Sequence, residues 1–118
     1  MNRSAPARRL ASAVEHRYLS NLLLVHDVLC HEGVVKASCL LSESEIAEGI
    51  DASIYFDLHD LAAAMAEIPL AAASPLSARV FDDEYHRRYA TTEVVVDAIL
   101  RHMAARSYES PRRAANDR

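Results

Sequence analysis

The chain contains no tryptophan, only two glycines, two cysteines and four prolines, and its aromatic content is 6%. So few glycines and prolines leave little turn chemistry for a many-stranded sheet; with abundant alanine and leucine they favour helix. Cys30 and Cys39 form no disulfide framework, and a reducing cytoplasm is the expected compartment. No apolar run reaches the roughly 18 residues that a membrane span requires, so no membrane contact is expected. Residues 1–9 carry three arginines with no apolar stretch behind them, unlike a secretory signal. Apolar residues nevertheless make up 51% of the 118 positions, enough for one core and too many for disorder throughout.

Charge is unevenly placed around a net value of -4. Residues 1–26 hold four arginines against Glu15, and residues 27–78 hold nine carboxylates against Lys36 alone. Residues 79–118 hold eight arginines against seven carboxylates. The middle third is an acidic block between basic ends. A nucleic-acid partner should meet the ends and avoid the middle.

Hydrophobic spacing predicts an all-α fold. Val14, Tyr18, Leu22, Val25 and Leu29 recur at steps of four and three, one face of a long first helix. Ser4 and Pro6 suit its start and Gly33 its stop. Leu23 and Leu24 widen the stripe beyond what a surface helix needs, so a second subunit is expected to cover it. Leu22, Leu23, Val25 and Leu29 are the expected homodimer interface.

Ser42 and Glu45 fit a capping box that opens a short helix ended by Gly49. Asp51 or Ser53 can then start a helix with Ile54, Leu58, Leu61 and Met65 on one face, closed by Pro69. Residues 70–73 are ambiguous between turn and strand. Ser74-Pro75 opens a helix to about Arg88, and Thr91-Thr92 interrupts it before a last helix carrying Val95, Ile99 and Met103. Residues 1–106 read as the folded domain and 107–118 as a polar, unpacked tail.

Two clusters could carry chemistry. His26, Cys30, His31 and Asp27 lie within two turns, but no fourth ligand completes a zinc set, and no metal or cofactor is expected. Asp82 and His86 share a helical face with Asp83 and Glu84 beside them. Neither a glycine-rich loop nor a nucleophile elbow accompanies them, so the chain does not read as an enzyme. Ile46, Ala47, Ile50 and Ser53 partly follow a helix-turn-helix pattern. Its would-be reading helix carries Asp57, His59 and Asp60, which repel phosphates.

The leucine run Leu22-Leu23-Leu24, the capping box, Ala47 and Asp60-Leu61-Ala62 resemble the FlhD family of flagellar transcriptional activator subunits. The resemblance is strongest over residues 19–62 and extends loosely over 17–105. It implies an intertwined helical homodimer with a helix-turn-helix-like middle. Such a dimer would act as a co-activator, reaching promoter DNA in a hetero-oligomer with an FlhC-type partner. By neighbourhood it places DNA contacts at Arg87 and Arg88 and partner contacts near Glu32, Ser38 and Cys39. Asp27 stands where the family has arginine, and Ser38-Cys39-Leu40-Leu41 replaces its Phe-Arg-Leu-Gly. The alternative is a regulatory protein-interaction module on the same helical fold without DNA contact.

Overall fold

A computed structural model describes the backbone of residues 5–116 and the side chains of residues 13–105. Among them are seven helices and no strand. In order these are α1 (Ala5–Glu32), α2 (Val34–Leu40), α3 (Glu43–Tyr55), α4 (His59–Ala66), α5 (Ile68–Ala71), α6 (Pro75–Arg88) and α7 (Thr92–Asn116). The all-α architecture therefore stands, with α1 as the long helix against which α2, α3, α6 and α7 pack. Among the described residues no helix is long and apolar enough to cross a membrane.

The end of α1 depends on more than a stop signal. Gly33 has φ 86° and ψ 170°, a region that essentially only glycine enters. A Cβ there would lie 3.0 Å from Asp82 Oδ2. The other oxygen of that carboxylate, Oδ1, accepts the Val34 N–H at 2.9 Å. It caps α2, a helix that no local sequence signal announces and that includes Cys39. The cap comes from α6, 48 positions along the chain. Asp82→Ala should cost about 1 kcal/mol, the usual worth of a helix cap. Asp82→Asn, which keeps an acceptor oxygen, should lose less; urea unfolding of both variants checks this.

The capping box at Ser42 forms as expected. Glu45 N–H donates to Ser42 Oγ at 3.0 Å, and Ser42 N–H donates to Glu45 Oε1 at 2.8 Å. Gly49 does not end α3, however, and Asp51 or Ser53 starts nothing: the helix is continuous through all three. Gly49 is buried where α3 crosses α1, and a Cβ on it would come within 2.7 Å of Val25 Cγ2. It is a packing glycine rather than a stop. Ser53 is wholly buried and satisfies its hydroxyl on the Gly49 carbonyl at 2.8 Å.

The chain turns at residues 56–58, where Asp57 has φ 59° and the Leu58 N–H donates to the Ser53 carbonyl at 2.8 Å. That turn splits the expected single face: Leu61 and Met65 are buried, Leu58 is half-buried and Ile54 is exposed. Pro69 sits in the first turn of α5, where its missing N–H costs nothing, instead of closing the helix before it. Leu70 and Ala71 belong to that short helix, which resolves the turn-or-strand ambiguity. Ser74-Pro75 opens α6, and residues 89–91 separate it from α7, as expected. The backbone of α7 continues to Asn116, past the end anticipated near 106. The side chains of the tail expected at 107–118, and the cap expected at Ser4, lie outside the described residues.

The core changes the argument for a dimer. Leu22, Val25 and Leu29 are at most 1% exposed within the single chain. They share one buried cluster with Ala52, Phe56, Leu61, Met65, Ile68, Val95 and Ile99. Leu23 is partly buried and packs on the same cluster. The face expected to meet a second subunit is thus covered by the chain's own helices, because α2, α3, α6 and α7 all pack on α1. Leu24 alone of the leucine run is exposed.

Candidate functional site

Two features stand out once the helices are placed. The first is a buried polar group between α1 and α6. His26 is wholly buried, and its Nδ1 lies 2.6 Å from the Tyr85 hydroxyl. Its Nε2 lies 3.4 Å from Cys30 Sγ, one helical turn on, and that sulfur is 3.5 Å from the Tyr89 carbonyl. One proton arrangement satisfies every group: Tyr85 O–H donates to Nδ1, Nε2–H donates to Cys30 Sγ, and the thiol donates to the Tyr89 carbonyl. The imidazole is then neutral.

Burial lowers the His26 pKa below its ordinary value, against the pull of the Asp27 carboxylate and the Thr91 backbone. Burial likewise raises the Cys30 thiol and pushes the Tyr85 phenol well up. A thiol held protonated beside a neutral imidazole is a poor nucleophile, since reactive cysteines need an electropositive setting. The group works as a latch between helices.

Other polar contacts extend the latch. Thr92 Oγ1 donates to Asp27 Oδ1 at 2.8 Å, joining α7 to α1. His86 Nε2 donates to the Cys30 carbonyl at 3.1 Å. The candidate ligands therefore separate. His26 and Cys30 meet, but His31 is exposed and bonds the Asp27 carbonyl at 2.8 Å. Asp82 and His86, which share a helical face, serve α2 and α1 instead of each other. Among the described residues no three histidine, cysteine or carboxylate groups could hold a metal ion together.

The second feature is an open groove of about 400 Å³ between α4, α5 and α6. Its apolar lining includes Leu70, Val80, Phe81, Tyr85 and Tyr89, and Asp60, Glu67, Glu84 and Arg88 stand among them. Leu70 and Val80 are 76% and 62% exposed, and Leu76 nearby on α6 is 73% exposed. Tyr85 joins the two features, facing the groove while its hydroxyl holds His26 behind it. Only its aromatic neighbours Phe81 and Tyr89, at steps of four, hinted at this in the sequence. The other wall comes from α4 and α5, and no local pattern announces it.

Arg87 and Arg88 are exposed beside the groove but engaged. Both pair with Glu84, Arg88 Nε lying 3.0 Å from Glu84 Oε1, and Arg88 Nη1 comes within 3.9 Å of Asp60 Oδ2. Glu32, Ser38 and Cys39 are all exposed around α2. Glu32 pairs with Lys36 at 3.3 Å, and the Ser38 hydroxyl donates to the Val35 carbonyl at 2.9 Å. Val35 and Leu40 are exposed beside them. Cys39 is a free thiol.

No protein family, curated protein or solved structure matches this chain. The site must be read from its own chemistry.

Proposed function

We propose that this chain is a non-catalytic regulatory module that works by binding another polypeptide in the groove between α4, α5 and α6. The observation that carries this reading is the groove itself: exposed Leu70 and Val80 above an aromatic floor, beside charged side chains. Apolar side chains this exposed and grouped are typical of interaction surfaces, and a groove of helices suits an amphipathic helix. A photocrosslinking residue at position 80 should capture a polypeptide, whereas the same residue at Ala47, exposed on α3, should not. Equal capture from both positions, or none from position 80, would overturn the reading.

A second reading is the FlhD-type co-activator, acting in the cytoplasm as a homodimer with an FlhC-type partner on promoter DNA. It is supported by the packing of α3 on α4 across the turn at residues 56–58, a helix-turn-helix-like pairing behind the expected capping box. Two observations weigh against direct DNA contact. His59 and Asp60 begin the helix that would read bases, and the two arginines already face carboxylates. If the arginines met two phosphates, their replacement by alanine would reduce the log–log salt slope of DNA binding by roughly 2. The interaction reading expects no change, as measured by salt titration on promoter DNA with the partner bound.

A further inference from the structure

We propose that the groove's occupant is the basic amino-terminal segment of a second copy of this chain. The inference rests on reading the groove as a docking surface and names what docks there. Two observations point to the same occupant. Three carboxylates, Asp60, Glu67 and Glu84, line the groove against Arg88, and although Arg88 and the adjacent Arg87 both pair with Glu84, the rim keeps one net negative charge. Elsewhere in the chain, residues 1–17 carry Arg3, Arg8, Arg9 and Arg17 against Glu15 alone. Along the same segment Ala7, Leu10, Ala11 and Val14 recur at steps of three and four, the register of one helical face. Val14, the described member of that set, is 51% exposed. One chain thus carries an apolar groove rimmed by carboxylates and a basic segment whose sequence spaces apolar residues at helical intervals.

A chain cannot fill its own groove with this segment. α1 is one uninterrupted helix from Ala5 to Glu32, and His26 touches the groove residue Tyr85. At a rise of 1.5 Å per residue, Leu10 lies roughly 24 Å along the axis from His26. Docking therefore takes place between copies. Exchange in both directions closes a two-fold pair with two identical contacts and leaves no open end. This dimer differs from one built on Leu22, Val25 and Leu29, which stay inside each chain.

The test uses two full-length variants. Arg8→Glu with Arg9→Glu reverses the segment's charge and leaves the groove alone. Val80→Lys spoils the groove at an exposed helical position and leaves the segment alone. In sedimentation at micromolar concentration the wild type should be a dimer that weakens between 50 and 500 mM salt. Each variant alone should raise the dissociation constant at least tenfold. Mixed, they should pair again, because one copy supplies an intact groove and the other an intact segment. Circular dichroism establishes that both remain helical. A monomeric wild type, variants that dimerise like it, or a mixture that stays monomeric would overturn the proposal. If the proposal fails while position 80 still crosslinks a different polypeptide, the groove is a docking surface with another occupant. If position 80 captures nothing, both readings fall.

Discussion

Gly49→Ala should destabilise the protein, although removing a glycine from a helix interior ordinarily gains up to about 1 kcal/mol. The sign is reversed by the crossing of α3 on α1. An added Cβ would meet Val25 Cγ2 at 2.7 Å and the Met65 sulfur at 3.3 Å. Val25 cannot swing away, because it is wholly buried in the core, and forcing an extra carbon into a packed interior costs about 1–3 kcal/mol. A net loss of roughly 1–2 kcal/mol is expected, with each kcal/mol worth about 4 °C in melting temperature at this size. Gly49→Leu, with three more carbons to place, should prevent native packing. Val25→Ala should cost less in the Gly49→Ala background than in the wild type, since the two groups compete for one space. A melting temperature that rises in Gly49→Ala would mean that the helices part without penalty.

Tyr85→Phe should be comparably damaging, by about 1–3 kcal/mol, because it removes the 2.6 Å partner of the buried His26 Nδ1 and leaves only the Cys30 sulfur, 3.8 Å away. The same histidine makes stability depend on pH. Its pKa is lowered in the folded protein, chiefly by burial, so below its unfolded value of about 6.5 the unfolded chain binds the extra proton more readily. Its contribution is fully present above about pH 6.5 and is lost as the pH falls towards the depressed folded value. Unfolding free energy should therefore decline on acidification from pH 6.5. His26→Gln, which cannot titrate, should remove that part of the decline while lowering stability at neutral pH. Urea unfolding between pH 7.5 and pH 5 measures both effects. Identical pH profiles for His26→Gln and the wild type would assign the acid sensitivity to other groups.

Helix was legible in the sequence wherever its signals are local. The recurrence of Leu22, Val25 and Leu29, the Ser42–Glu45 box, Ser74-Pro75 and the Thr91-Thr92 break all act within a turn or two of chain, and each gave the element found. The uneven charge was equally plain, being a property of composition along the chain. Two features mean something other than what their neighbours along the chain suggest: Gly49 is a packing residue and not a stop, and the broad apolar stripe of α1 is covered within the chain. Gly49 resembles a stop until α1 is placed against it, and Gly33 gives no hint that Asp82 will cap the helix beyond it. The apolar stripe of α1 suggests a second subunit only while the folding back of the later helices is left out of account. Sequence alone therefore determined the helical class, the starts of α3, α6 and α7 and the acidic middle between basic ends, all of which depend on neighbours along the chain. Tertiary structure decided that Leu22, Val25 and Leu29 are core, that His26 and Tyr85 form a latch, and that α4, α5 and α6 enclose a groove. Each of these depends on groups that meet only after the chain has folded, across separations that no periodicity encodes.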